Sequence, residues 1–159
     1  MSHQSIEARL RRVEDELAIQ RLLMDYAAYL DERDYARYVS LFTADGEWTN
    51  EAGSYKGQAA IRDMLEREVV PAGAVNRSNY HIMTNPRIDL DGDRAAAASR
   101  FLFVLRGPDG SLVPALGGIY RDEFIRQGDA WKIKRRVAEN IIPTAEEWRA
   151  LRAARRAKQ

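Results

Sequence analysis

Apolar side chains recur at helical spacing at the start of the chain, in two stripes that differ in phase. The second stripe is broad enough to cover a hydrophobic core, whereas the first is narrow and flanked by charged residues, as expected of a surface arm or a partner contact. The change of phase predicts two helical pieces or one kinked helix. The first stripe consists of Ile6, Leu10, Val13 and Leu17. The second consists of Ile19, Leu22, Leu23, Tyr26, Ala27 and Leu30.

The segment that follows predicts small elements of both kinds. Asp34 can cap a short helix, and the composition at 44–46 is that of a turn. A longer helix begins at Gly57 and ends at the Pro-Ala-Gly sequence at 71–73. The predicted elements are, in order, a helix at 34–42, a turn at 44–46, strands at 47–49 and 54–56, and a helix whose apolar side carries Ile61, Met64, Leu65 and Val69.

Beyond Arg77, long runs of β-favouring residues alternate with short turn sequences. The runs exceed the usual strand length of about five or six residues, so we expect the sheet to curl. The Gly117-Gly118 pair in the third run predicts a bend or a bulge. The pattern predicts a four-stranded antiparallel meander with strands at 78–90, 94–106, 112–126 and 130–142.

Helices followed by such a meander are typical of an α+β fold in which the helices cover one concave face of the sheet. We expect a cone-shaped α+β barrel, with a curved antiparallel sheet wrapped around the N-terminal helices and a pocket between them. The length of 159 residues predicts a single domain, 1–159. Its core is expected at about 6–142, and a helical tail at 143–159 is expected at the periphery.

The charge and the residue usage of the chain exclude several kinds of ligand and of reactive site. Lysine and arginine number 25 against 24 acidic residues, so no strong field exists to attract nucleic acid or an anionic membrane. The chain has no cysteine, which excludes a disulfide, a thiol nucleophile and a thiolate metal site. No signal peptide or spanning apolar run is visible, so a cytoplasmic location is expected. The expected ligand is a small molecule.

His81 is the one imidazole available for proton transfer, because the other histidine, His3, lies in a tail expected to be disordered. Side chains alternate along a strand, so His81 lies on one face with Asn79 and Met83. A lone histidine is more often a partly buried residue bonded to a backbone carbonyl than a catalytic base. The catalytic interpretation therefore needs a partner for the ring.

Asp31 is the candidate partner, since it continues the core-facing edge of the second stripe and ends an apolar stripe with a carboxylate. A negative charge at a helix C-terminus opposes the helix dipole unless a cation or a donor compensates it. Asp31 could equally begin the solvated run at 31–34 or cap the next helix. A carboxylate bonded to an imidazole fixes its tautomer and stabilises the imidazolium, which makes the pair able to abstract a proton.

Aromatic and methionine side chains could form a pocket wall for a flat or alicyclic ligand, although the same spacing is common in a plain core. Tyr26 lies about five residues before Asp31 on the same helix and could donate a hydrogen bond to a substrate oxygen. Asn85 and Ser99 could contribute in the same way. The candidate wall residues are Tyr26, Trp48, Tyr55, Met83 and Phe103.

No cofactor is predicted. A metal site lacks a second useful histidine, and the acidic residues near His81, namely Asp89, Asp91 and Asp93, fit a hairpin turn. No glycine-rich loop matches a site for a nucleotide phosphate.

Six short segments occur in an order and spacing that together match a known family, although each segment alone is a weak signal. They are LDERDY at 30–35, LFTADGEW at 41–48, YKG at 55–57, HIMTN at 81–85, YRDEF at 120–124 and WKI at 131–133. Together they closely resemble the SnoaL-like group of the nuclear transport factor 2 superfamily, over about residues 6–142. The resemblance is greatest to the branch with scytalone dehydratase, hexachlorocyclohexane dehydrochlorinase and bile acid dehydratase, and it implies that Asp31 and His81 form the catalytic dyad.

The chain departs from that branch at several positions. The dehydrochlorinase has a lysine where this chain has Tyr26, and the carbonyl-polarising tyrosines of scytalone dehydratase correspond to Leu30 and Trp48. A second histidine of that dehydratase has no counterpart. A family arginine corresponds to Arg136, whereas strict alternation along the last strand turns Arg135 inward. A bulge would reconcile the two, and either arginine could also lie at a solvated strand end.

The residues and the resemblance together predict a cofactor-independent lyase, in particular a dehydratase for a hydrophobic cyclic, polyketide-like or steroid-like molecule. His81, held by Asp31, would abstract a proton next to a carbonyl while Tyr26 stabilises the developing oxyanion. The same base would also serve an isomerase or a polyketide-type cyclase, and the fold also occurs in non-catalytic binding modules. The resemblance implies a homo-oligomer, with a trimer packed through the sheets favoured over a dimer formed by the first helix.

Overall fold

The computed structural model describes residues 5–68, 73 and 76–156. The helices of these residues are α1 (Ile6–Asp31), α2 (Tyr35–Ser40), α3 (Gln58–Glu68) and α4 (Ala145–Arg156). The strands are β1 (Phe42–Asn50), β2 (Gly53–Lys56), β3 (Asn79–Asp91), β4 (Arg94–Arg106), β5 (Leu112–Gln127) and β6 (Ala130–Ile142). Val69 and the predicted helix stop at 71–72 lie outside the described residues.

α1 is one continuous helix rather than two, and the two apolar stripes lie on different faces of it. Ser5 caps its N-terminus by accepting a hydrogen bond from the Ala8 N–H at 3.2 Å. The second apolar stripe is buried in the core, while the first is exposed. Asp34 caps α2 as predicted, since its side chain accepts a hydrogen bond from the Arg37 N–H.

The strands form one six-stranded sheet in the order β2-β1-β6-β5-β4-β3. The predicted meander is confirmed, because β3 to β6 pair antiparallel in sequence order. The sheet is not antiparallel throughout, since β1 runs parallel to β6. The sheet is curved and does not close into a barrel. The expected α+β fold is confirmed, but its sheet is open and mixed.

The turn predicted at 44–46 is wrong, because these residues lie inside β1. Phe42 pairs with Ile133 and Glu47 pairs with Arg135, so β1 contains more residues than β6 between these two pairs. A Cβ on Gly46 would lie 3.0 Å from Phe42 Cβ and 3.1 Å from the Ile133 carbonyl oxygen, which favours glycine there. The turn-forming residues therefore make a bulge within a strand.

The predicted irregularity at Gly117-Gly118 is confirmed by a shift of register between β5 and β6 at this pair. One cluster of buried side chains joins α1, α2 and α3 to the sheet, and it includes the second stripe of α1 except Ala27. No helix among the described residues combines the length and the apolar character needed to cross a membrane. The other members of the cluster include Tyr35, Tyr38, Ile61, Met64, Phe101, Tyr120, Phe124 and Ile133.

Candidate active site

A cavity of about 510 Å³ lies between the helices and the sheet, within the usual size of a small-molecule site. Its wall is mostly aromatic and aliphatic, and all four helices contribute to it. Four of the residues proposed from the sequence line this cavity. They are Tyr26, Trp48, His81 and Phe103.

Asp31 and His81 form a hydrogen-bonded pair at this cavity. Asp31 Oδ1 lies 2.7 Å from His81 Nδ1, and Asp31 Oδ2 accepts the His81 backbone N–H at 2.7 Å. The two side chains are 19% and 12% exposed, respectively, and only His81 is part of the cavity wall. A proton on Nδ1 leaves Nε2 as the acceptor nitrogen of the neutral ring, and no described residue is hydrogen-bonded to Nε2. The histidine is therefore bonded to a carboxylate and not to a backbone carbonyl.

The end of α1 positions this carboxylate. Asp31 is the last residue of the helix, and Arg33 follows with a φ of 59°, which turns the chain toward α2. The Asn76 side-chain amide donates to the Asp31 carbonyl at 3.0 Å and to the Asn79 carbonyl at 2.7 Å. It thereby connects the end of α1 to the start of β3. Alternation along β3 then places His81 on the same face as Asn79 and Met83, as predicted, and this face is partly buried.

Tyr26, Tyr38 and Tyr120 line the cavity from α1, α2 and β5. The Tyr26 ring centroid lies 4.8 Å from that of Tyr38 and 5.6 Å from that of Tyr120. Trp48 Nε1 donates to the Tyr26 hydroxyl at 2.9 Å, so the proton of that hydroxyl is available to another acceptor. Burial raises the pKa of Tyr38 and Tyr120 well above the usual value, so both hydroxyls keep their protons. The Tyr38 and Tyr120 hydroxyls are hydrogen-bonded to Tyr26, so the three hydroxyls form one cluster at the cavity.

Arg136 lies behind the tyrosines and is not part of the cavity wall. Its Nε and Nη2 donate to the Asp122 carboxylate at 2.6 and 2.7 Å, and both residues are buried. The guanidinium carbon lies 3.7 Å from the Tyr26 ring centroid and 4.4 Å from that of Tyr120. Burial disfavours the charge, but the charge of Asp122 and its hydrogen bonds hold the pKa of Arg136 above its usual value. Arg136 is therefore placed to support the tyrosines.

A bulge in β6 decides which of two neighbouring arginines turns inward. The pairing of β5 with β6 shifts register around Lys134, which leaves one extra residue in β6. Arg136 is consequently buried, while the Arg135 side chain is 46% exposed near two glutamates. The prediction from alternation that Arg135 turns inward is wrong, because β6 is not a regular strand at this point.

The other pocket candidates lie outside the cavity wall. Tyr55 packs against Trp48 with ring centroids 6.1 Å apart, and Met83 packs at the edge of the core. Ser99 is buried, and its Oγ has no hydrogen-bond partner among the described residues. Asn85 is exposed and has a φ of 51°, because the pairing of β3 with β4 shifts register there and interrupts the alternation.

The cavity wall also includes residues beyond those predicted from the sequence. Tyr120 faces inward by simple alternation along β5, a signal that the sequence contains. Tyr38 lies on a helix too short to show a clear stripe. Trp148 and Arg149 bring α4 to the cavity, so the helical tail is not peripheral to the site. A tryptophan within an arginine-rich helix is the signal for that contact.

An open, curved sheet packed on N-terminal helices is a fold of the nuclear transport factor 2 type. The chain belongs to the SnoaL-like domain family, which it matches over residues 11–137.

A named relative and two solved structures agree with this family assignment. The gamma-hexachlorocyclohexane dehydrochlorinase of Sphingobium indicum is 28% identical over 131 residues, which cover 81% of this chain and 82% of that protein. A solved structure of a scytalone dehydratase candidate from Novosphingobium aromaticivorans has a TM-score of 0.69 at 25% identity, covering 82% of this chain and 86% of that one. An NTF2-like protein with a cystatin-like fold from Novosphingobium aromaticivorans has a TM-score of 0.78 at 24% identity, covering 94% and 98%. This last likeness concerns the fold alone.

Proposed function

We propose that the protein is a cofactor-independent lyase that removes water from a hydrophobic cyclic, polyketide-like or steroid-like small molecule. The two hydrogen bonds from His81 to the Asp31 carboxylate, beside an apolar cavity of about 510 Å³, support this most strongly. Two relatives bear the names of a dehydrochlorinase and a dehydratase candidate. Loss of hydrogen chloride and loss of water share one chemical step, the removal of a proton next to the carbon that carries the leaving group.

His81 is the general base in this proposal. Because its Nδ1 proton is held by Asp31, Nε2 accepts the proton from a carbon next to a carbonyl group or in an activated ring. The electron pair left on that carbon forms the new double bond while the neighbouring C–O bond breaks. The imidazolium, stabilised by Asp31, gives its proton to the departing hydroxide, so that water leaves and neutral His81 is restored.

Tyr26 is the proposed donor to the oxygen on which negative charge develops. The hydrogen bond from Trp48 occupies a lone pair of the Tyr26 oxygen, which directs the remaining proton elsewhere. Tyr38 and Tyr120 hydrogen-bond the Tyr26 hydroxyl and hold it in place, and Arg136 acts through the two rings that it contacts rather than on the substrate. Fixed donors in a cavity with little water stabilise an oxyanion more than donors in solution do.

The same base could also serve two other reactions. Return of the proton to a different carbon gives an isomerase, and attack of the carbanion on a carbon of the same molecule gives a cyclase. A non-catalytic binding module would need the cavity but not a carboxylate held behind an imidazole. Halide removal is less favoured, since Tyr26 replaces the lysine of the dehydrochlorinase.

Incubation with a panel of cyclic hydroxy-ketones and hydroxy-enones, followed by mass spectrometry of the products, tests this function. A lyase lowers the product mass by one water, whereas an isomerase or a cyclase acting without elimination leaves it unchanged. Binding of panel members by calorimetry without any turnover would contradict an enzymatic role.

A matched pair of tyrosine variants tests the proposed donor. Tyr26→Phe is expected to lower kcat by about 10²-fold, because an oxyanion donor is lost. Tyr80→Phe, on the exposed face of β3, is expected to change kcat little. Equal effects of the two substitutions would exclude a specific role for Tyr26.

A further inference from the structure

α1 carries an exposed line of large apolar side chains, called here the seam. Its members are 52% to 76% exposed, and they lie on a different face of α1 from the buried core stripe. Single exposed apolar residues are normal on a protein surface, but a continuous line of them marks an interaction site. The seam consists of Ile6, Leu10, Val13, Leu17 and Met24.

The spacing of the seam is that of a coiled coil. Its members follow steps of three and four residues in alternation, with Gln20 in the one polar position. At a rise of about 1.5 Å per residue, the seam from Ile6 to Met24 is about 27 Å long. In heptad notation the a positions are Leu10, Leu17 and Met24, and the d positions are Ile6, Val13 and Gln20.

The domain holds α1 in place without covering the seam. Asp15, on another face of the helix, accepts hydrogen bonds from Arg126 Nη2 at 2.6 Å and from Trp131 Nε1 at 3.1 Å. Before this anchor, every residue from 5 to 14 is exposed. A helix segment of this length is marginal in water without packing, so a partner that covers the seam would stabilise it.

We propose that the seam binds the same seam of another copy of this chain, with the two α1 helices parallel. In that arrangement g positions face e positions of the next heptad. Arg9 then faces Glu14 of the partner subunit, and Glu16 faces Arg21 of the partner subunit. Both pairs join opposite charges, and symmetry produces each of them twice.

An antiparallel arrangement fits the charges less well. In the antiparallel register that overlaps the whole seam, e positions face e positions and g positions face g positions. Glu14 then faces Glu14 of the partner subunit, and Glu16 faces Glu16 of the partner subunit. Each of these two contacts opposes like charges, which is unfavourable. Glu7 faces Arg21 of the partner subunit in the same register, but these opposite-charge pairs only offset the like-charge contacts, whereas both charged pairs of the parallel arrangement are favourable. Charge complementarity therefore favours the parallel contact.

Arg9 and Glu14 are the best residues for a test. Glu16 and Arg21 already have partners on α1, since Arg12 lies 3.4 Å from Glu16 and Asp25 lies 3.1 Å from Arg21. Arg9 and Glu14 have no ion pair with a described residue and are both exposed. A change at these two positions should therefore affect little besides contact with another copy.

The first experiment measures mass by light scattering and sedimentation over a range of protein concentrations. The wild-type chain is expected to be an oligomer, and the double variant Leu10→Lys/Leu17→Lys is expected to raise the dissociation constant at least about tenfold. The matched control Ala8→Lys/Ala18→Lys adds the same charge at exposed positions of α1 outside the seam, and it should keep the wild-type mass. Circular dichroism checks that each variant stays folded. A monomeric wild type, an unchanged Leu10→Lys/Leu17→Lys variant or an equal loss in the control would overturn the proposal.

The second experiment tests the parallel direction by charge exchange. Arg9→Glu and Glu14→Arg should each weaken self-association, because each places like charges opposite one another. An equimolar mixture of the two variants should form hetero-oligomers, and the double variant Arg9→Glu/Glu14→Arg should regain the wild-type dissociation constant. Failure of both the mixture and the double variant to restore association would overturn the parallel arrangement. This contact is independent of the lyase proposal, since no seam residue lines the cavity.

Discussion

Asp31 holds His81 at two atoms, the ring Nδ1 and the backbone N–H, each 2.7 Å from one carboxylate oxygen. The backbone contact fixes the start of β3 against the end of α1, and the ring contact fixes the tautomer. Both oxygens of Asp31 are thus engaged by a single residue, so a change to the carboxylate alters the ring without an obvious change in the fold.

Asp31→Asn is expected to leave the fold intact and to lower kcat by about 10²–10⁴-fold. The backbone N–H of His81 requires an acceptor, so the asparagine oxygen should remain there and its amide should face Nδ1. Nδ1 must then accept, which moves the ring proton to Nε2 and removes the base from the cavity side. Turnover of the substrate found in the panel measures the loss, and the nitrogen chemical shifts of His81 report the tautomer.

Asp34→Asn is the control for this prediction. Asp34 caps α2 and takes no part in the Asp31–His81 pair, so its substitution should reduce stability slightly and leave kcat near the wild-type value. Full turnover by Asp31→Asn, or by His81→Ala, would exclude the dyad mechanism.

Asp122→Asn is expected to destabilise the fold by about 3–5 kcal/mol, because it leaves the buried Arg136 guanidinium without its counter-charge. The double variant Asp122→Leu/Arg136→Met removes both charges and should recover much of this loss. Denaturant unfolding measures each free energy of unfolding. The control is Arg121→Met, which breaks the exposed pair with Glu139 on the same two strands and should cost less than about 1 kcal/mol. Similar losses for Asp122→Asn and Arg121→Met would refute a structural role for the buried pair.

Local patterns predict the long strands of this fold well and the contacts between distant segments poorly. The hairpin turns and alternation define β3 to β6 almost to the residue, because each hairpin pairs neighbouring segments. The parallel pairing of β1 with β6 joins segments far apart in the sequence and leaves no local signal. Residues 44–46 have the composition of a turn, but glycine serves equally well in a bulge.

At the candidate site, too, local patterns predict local features better than they predict contacts between distant segments. Helical periodicity predicts that Asp31 ends the core-facing stripe, and strand alternation predicts that His81 shares a face with Asn79 and Met83, but the pairing of Asp31 with His81 rests mainly on the family resemblance. Alternation assigns Asn85 and Arg135 to the wrong face of the sheet. Each lies next to a register shift, and one extra residue moves every later side chain of the strand to the opposite face. Trp148 reaches the cavity through a contact between distant segments, and a tryptophan in an arginine-rich helix indicates that a contact exists but not which segment it meets.

Gly118→Ala is expected to destabilise the fold by about 1–3 kcal/mol and to disturb the cavity wall. A Cβ at Gly118 would collide with the Glu139 carbonyl oxygen and would lie 2.7 Å from two atoms of the Phe101 ring. Phe101 lines the cavity and stacks on Tyr120 with centroids 4.2 Å apart, so its displacement should also weaken ligand binding. Unfolding curves and ligand calorimetry test both effects.

Gly117→Ala is the matched control, because the nearest atom to its added Cβ is 3.7 Å away, an ordinary contact. Its effect on unfolding should be small, and ligand binding should be unchanged. If both alanine variants behave alike, steric crowding at Gly118 is not the reason that glycine occupies the position.

Asp15→Asn is expected to lower the free energy of unfolding by about 1–3 kcal/mol near neutral pH, with a smaller difference in acid. Burial alone would raise the pKa of Asp15, but the hydrogen bonds from Arg126 and Trp131 and the charge of Arg126 outweigh it and hold the pKa below its usual value of 3.8. A carboxylate with a lowered pKa in the folded state stabilises the protein above the unfolded pKa, and this stabilisation disappears as pH falls through the folded pKa. The wild type should therefore lose its advantage over Asp15→Asn below about pH 3.8.

Urea unfolding of both proteins near neutral pH and near pH 3 measures this difference. Asp93→Asn provides the control, because Asp93 also bonds Arg126, at 2.9 Å, but its side chain is 81% exposed. Its substitution should cost less than about 1 kcal/mol at either pH, since an exposed ion pair is largely solvated. A difference between wild type and Asp15→Asn that stays constant with pH would show that packing around Asp15, and not its charge, holds α1 against the sheet.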